Sequence, residues 1–79
     1  PVTNYHHINM RFKSTNSGTG QLSVYDAGGK LVARKYVQIK SGINIVPIEV
    51  NQLSNGTYYL NLFNASGEKL FVGKKFIKQ

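Results

Sequence analysis

Apolar residues recur at every second position through most of this chain, in short runs cut apart by turn-forming residues. Ile8, Met10 and Phe12 alternate with Asn9, Arg11 and Lys13, the spacing of a strand that buries one face and wets the other. Leu22 and Val24 repeat the pattern and run into Asp26-Ala27-Gly28-Gly29, a turn in which glycine adopts positive φ without a Cβ clash. No segment carries the helical period and end caps that a helix requires. What remains is a sheet protein.

The other segments obey the same rule with two irregularities. In residues 30–39, Leu31, Ala33, Val37 and Ile39 share one parity while Val32 and Tyr36 fall on the other. A bulge, or a twisted strand buried on both sides, accounts for the conflict. After the break Lys40-Ser41-Gly42, residues Ile43 to Val50 are apolar at both parities and include Pro47. Proline lacks the ladder donor, so this strand belongs at a sheet edge or where the chain changes sheet. Asn51 to Gly56 is a turn-rich connection. Tyr58, Leu60 and Leu62 then line one face of a strand, with Tyr59 and Phe63 on the other. Asn64-Ala65-Ser66-Gly67 turns the chain into a last strand from Lys69 to about Lys78. The expected fold is all-β: an immunoglobulin-like antiparallel β-sandwich of about seven short strands.

The 79 residues make one domain, and a domain this small buries only about 60% of the surface its unfolded chain exposes. The absence of cysteine excludes disulfides, thiolate catalysis and thiolate metal sites together. The chain opens on Pro1, with no cationic-apolar leader and no apolar run near the ~18 residues of a membrane span. It therefore reads as a piece of a longer polypeptide. Ten Lys and Arg against Asp26, Glu49 and Glu68 give a net charge of +7, a balance that suits nucleic acid, anionic lipid or lipopolysaccharide. The cations are spread along the whole sequence, as expected of exposed strand faces protected from aggregation. Only Lys69, Lys74, Lys75 and Lys78 approach a patch, and only Arg34, Lys35 and Tyr36 approach the interleaving of a nucleic-acid platform. No nucleic-acid partner is expected.

Catalytic and cofactor chemistry finds little support. His6 and His7 are adjacent, so on a strand they point to opposite faces and one ion is hardly held by both. Asp26 and Glu68 fall in separate turns and Glu49 on a strand, which is no glycosidase pair. No histidine, serine and aspartate come with a nucleophile elbow, and no glycine run opens a helix to cradle phosphate. Neither an enzyme nor a cofactor is expected. Asn55-Gly56-Thr57 and Asn64-Ala65-Ser66 match the glycosylation triplet but read as turn chemistry. Tyr25, Tyr36 and Tyr59 would stack on sugar rings if they formed a platform on one face, as in a non-catalytic carbohydrate-binding or adhesive module. In a domain this small their packing role comes first.

Four phrases occur in order: Val24-Tyr25-Asp26-Ala27-Gly28-Gly29-Lys30-Leu31-Val32, Gly42-Ile43-Asn44, Leu53-Ser54-Asn55-Gly56-Thr57-Tyr58, and Lys74 to Lys78. Over essentially the whole chain this set resembles the type A C-terminal sorting domain of proteins exported by the type IX, or Por, secretion system of Bacteroidota. The family's Asp-x-x-Gly turn falls on Asp26 and Gly29, its Leu-x-x-Gly-x-Tyr motif on Leu53, Gly56 and Tyr58, and its closing Lys-x-x-x-Lys on Lys74 and Lys78. The opening departs from the pattern. Of the family's Pro-Asn-Pro phrase only Pro1 remains, followed by Val2-Thr3-Asn4, as if the first strand were clipped.

The resemblance implies a targeting role, with residues 1–79 as a single sorting domain at the end of a larger secreted protein. Such a cargo passes the periplasm, is read by the outer-membrane type IX translocon, and is cut by a surface sortase-like peptidase before display or release. On this expectation Gly56 and Tyr58 build the turn. Lys69, Lys74, Lys75 and Lys78 are the candidate receptor contacts, and the last strand offers an edge for strand addition.

Overall fold

Side chains that alternate in and out must pair their strands into sheets and close one face against something. In the computed structural model, which describes Val2–Thr3 and residues 7–78, with side chains from Ile8 onward, that closure is sheet on sheet. The strands are β1 (Val2–Thr3), β2 (His7–Ser14), β3 (Gly18–Asp26), β4 (Leu31–Ile39), β5 (Gly42–Glu49), β6 (Gly56–Asn64) and β7 (Lys69–Lys78). One sheet has the order β1-β7-β6-β3-β4 and the other is the pair β2-β5. The opening Pro1 and the candidate ligand His6 lie outside the described residues.

The expected all-β, antiparallel, sandwich-like architecture is the observed one. Six strands are long, and the seventh element, β1, is a two-residue piece that runs parallel to β7, with Val2 opposite Ile77 and Thr3 opposite Lys78. The remaining neighbours are antiparallel.

The core lies between the two sheets. Ile8 and Met10 of β2 and Ile48 of β5 face Leu22, Val24, Val37, Ile39, Tyr58, Leu60, Leu62 and Phe76 of the larger sheet. Phe12 reaches across to Phe71 edge-on, with ring centroids 5.8 Å apart. The alternation read for β2, β3 and β6 is thus the observed one at their apolar inward positions, while Ser23, on the other face of β3, is buried as well.

The parity conflict in β4 resolves as a bulge. Val24 pairs with Ala33 and Tyr25 with Leu31, so Val32 is the extra residue. The alternative, burial on both sides, does not occur: residues 31–36 are exposed and only Val37 and Ile39 are covered. β4 is the edge of a sheet wider than the two strands packed on it.

Candidate functional site

The Asp26 turn and the Asn64 turn are built alike. Asp26 Oδ1 accepts from the N–H of Gly28 at 3.0 Å and of Lys30 at 2.9 Å. Asn64 Oδ1 accepts from Ser66 at 3.0 Å and Glu68 at 2.9 Å. In both, the first residue also exchanges backbone bonds with the residues three and four along, and Gly29 and Gly67 take φ of 86° and 82°. Each is a hairpin closed by a residue in the left-handed region, which glycine enters without a Cβ penalty. Asn64 also donates from Nδ2 to Glu68 Oε1 at 2.8 Å.

β6 begins where the turn-rich connection ends. Tyr58 is buried, and its hydroxyl donates to the Ser54 carbonyl at 2.6 Å. Its ring stacks on Phe76 of β7 at a centroid distance of 5.3 Å. Gly56, at φ 156°, pairs with Lys78, and Lys78 Nζ donates to the Leu53 carbonyl at 2.6 Å. Leu53 itself packs against the core.

These contacts bring the separate phrases together. Asp26 pairs with Tyr58, and Tyr58 pairs with Phe76, so one row crosses β3, β6 and β7. The Asp26–Gly29 turn, the Leu53–Tyr58 phrase and the Lys74–Lys78 segment therefore share one end of the larger sheet. Asn44, in contrast, sits at the other end of the fold. It is 3% exposed, and its amide accepts from Lys40 N–H and donates to the carbonyls of Lys40 and Gly42. That side chain builds the β4–β5 connection.

The lysines divide. Lys74 and Lys78 share the parity of Phe76, and Lys75 shares that of Ile77, so neighbours alternate across the two faces. Lys69, Lys74 and Lys75 are exposed, whereas Lys78 is half-buried with its ammonium on Leu53. Between Lys69 and Lys74 the ladder slips. Leu60 pairs with Lys74 but Leu62 with Phe71, leaving Val72 and Gly73 as a bulge. Gly73 has φ 72°, and its N–H donates to Asn61 Oδ1 at 2.8 Å. Sequence reading missed both Asn61 and Gly73; a lone glycine within a strand was the available signal.

The carboxylates stay apart, with Asp26 and Glu68 in the two turns and Glu49 on β5. Among the described residues no His, Cys, Asp and Glu group holds the spacing of a metal site. No helix there is long and apolar enough to cross a membrane. Tyr25 and Tyr59 pair directly and are half-buried, while exposed Tyr36 pairs with Gln21. Tyr36 is thus four residues, about 13 Å along the strand, from the tyrosine pair. The three share the outward face without forming a contiguous platform.

Among the described residues of this all-β domain, the motif positions lie on turns and on the strands beside them, with the last of them on the closing strand β7. All of residues 1–79 match the family described as the secretion system C-terminal sorting domain, and the chain belongs to that family. It is a C-terminal signal for type IX secretion. Membership implies a secreted or cell-surface protein and contact with the type IX machinery, and the family is not one known for catalysis. Nothing in the match supports a carbohydrate-binding or adhesive module. No curated protein and no solved structure matches the chain.

Proposed function

We propose that the end of the larger sheet at Asp26, Tyr58 and Phe76 is the part of the domain that the outer-membrane translocon reads. The observation that carries this reading is the single cross-strand row joining the three phrases. Asp26, Gly29, Leu53, Gly56 and Tyr58 shape that end, and exposed Lys74 and Lys75 give it a cationic rim, with Lys69 beyond the Gly73 bulge. Cations there steer an acidic receptor surface. Lys78 serves chiefly to tie β7 to Leu53.

β7 contributes its backbone as well. Among the described residues its outer edge is paired to β1 at Ile77 and Lys78, and the stretch before Ile77 is the part offered for strand addition. In this reading residues 1–79 end a larger exported protein. That protein transits the periplasm, and a sortase-like peptidase removes the domain at the surface.

Fusion of residues 1–79 to a periplasmic reporter in a type IX-competent host tests the proposal. Surface or medium delivery is expected, and it should fail when Lys74 and Lys75 are reversed to Glu in a domain that still folds by circular dichroism. Full export of the folded reversal variant overturns the assignment of this end.

A further inference from the structure

β5 offers a second unpaired edge on the side of the molecule away from β7. Among the described residues each strand of the pair β2-β5 has a single neighbour. Pro47 fixes which way the polar groups of β5 point. Its carbonyl accepts from Lys35 Nζ of β4 at 3.3 Å, and it has no N–H to give to β2. In an antiparallel pair the N–H and C=O of one residue point to the same side. Ile43 and Ile45 share the parity of Pro47, so their N–H and C=O also turn away from β2.

The side chains of this edge are unusual for a surface. Ile43 is 45% exposed and Ile45 62% exposed. Arg11 stands opposite Ile45 and Lys13 opposite Ile43, both exposed. Lys40 precedes the strand, and a shallow groove lined by Ile39 and Val46 runs along its inner side. A flat apolar edge with unpaired backbone groups is a template for another strand. The flanking charge selects among strands. A second copy of this chain, at +7, would set like charges face to face. A carboxylate-bearing strand would meet Lys40, Arg11 and Lys13 instead.

We propose that the Ile43–Ile45 edge of β5 docks an extended, acidic segment of a partner protein by strand addition. The segment alternates apolar and carboxylate residues. Its apolar side chains enter the groove at Ile39 and Val46, and its carboxylates lie over Ile43 and Ile45 toward Arg11 and Lys13. This surface is separate from the end assigned to the translocon. Ile39 pairs with Gly18, at the opposite end of β3 from Asp26.

The test titrates the 79-residue chain with a short labelled peptide of alternating Val and Glu, and follows amide exchange by NMR. Slowed exchange at Ile43 and Ile45 is expected. Binding should fall by roughly tenfold or more when Arg11 and Lys13 become Glu, or when the peptide is N-methylated at alternate residues. The methylated peptide leaves the protein untouched, so loss of folding cannot mimic the result. Equal binding of an all-Glu peptide, protection on β7 instead of β5, or no binding overturns the proposal. So does protection at Ile43 and Ile45 from self-association, or from anionic vesicles alone.

Discussion

Tyr58 and Phe76 stack face to face across neighbouring strands, ring centroids 5.3 Å apart and planes 20° from parallel. They sit opposite each other in the β6–β7 register, 6% and 1% exposed. On one side the Tyr58 hydroxyl holds the Ser54 carbonyl, and two residues beyond Phe76 the Lys78 ammonium holds that of Leu53. The connection before β6 and the end of β7 are thus fastened to each other through one aromatic pair. The motif end and the last strand are packed as one unit.

Tyr58→Ala removes the stack and opens a cavity in the core, at a cost of about 3–5 kcal/mol. For a domain near the lower limit of self-sufficiency that is most of its stability. Tyr58→Phe keeps the ring and loses the bond to Ser54, costing about 1 kcal/mol. Urea unfolding followed by circular dichroism should separate the two by several kcal/mol. Similar midpoints would show that the ring contributes little.

Lys78 and Lys74 are expected to part company when each becomes Met. Lys78→Met loses a charge-assisted bond at a half-buried site and costs about 1 kcal/mol. Lys74→Met, at an exposed site, changes stability by less than about 0.5 kcal/mol. Export of a fused reporter should respond in the opposite order relative to stability, falling in the folded Lys74 variant. Denaturation midpoints and reporter localisation, measured on the same preparations, check both halves.

Most of the strand pattern was legible because inward positions alternate and Gly, Asn and Asp mark the turns. Pro47 announced its edge for the same local reason. The pairing of strands was not legible. That Asp26, Tyr58 and Phe76 fall in one row depends on registers set by long-range packing and by the two register shifts between β6 and β7. Nor was the division among the lysines. The bond from Lys78 to a carbonyl 25 residues earlier leaves no mark on the local sequence. Asn44 looked like part of a phrase, and only its burial shows that its amide stands in for strand partners of Lys40 and Gly42.

The twin turns predict how Asp26 tolerates change. Asp26→Asn keeps an oxygen for the N–H groups of Gly28 and Lys30, as Asn64 does for Ser66 and Glu68. Stability should stay within about 0.5 kcal/mol. Asp26→Ala leaves both N–H groups to water and costs about 1 kcal/mol. Thermal unfolding of the two variants is the measurement, and an Asn variant as weak as the Ala variant would mean the charge, not the turn geometry, is what matters.

Gly20 carries the sharpest packing prediction. A Cβ there would run into Ile39 Cδ1 and come within 3.1 Å of the Phe63 carbonyl oxygen. Gly20 lies on the inward face of β3, between Val37 on one neighbour and Asn64 on the other. Gly20→Ala overpacks the site and should cost about 1–3 kcal/mol. Ile39→Val alone removes the clashing methyl from a buried position at a cost of about 1 kcal/mol. Combined, the second change frees the space that the first requires, so the double variant should be more stable than the sum of the singles by about 1 kcal/mol. The residual penalty reports on the Phe63 carbonyl, which belongs to the backbone of β6, together with Cγ1 of residue 39, 3.3 Å from the added Cβ and retained by valine. Additive losses in a double-mutant cycle would show that the Ile39 δ-methyl is not what demands glycine here.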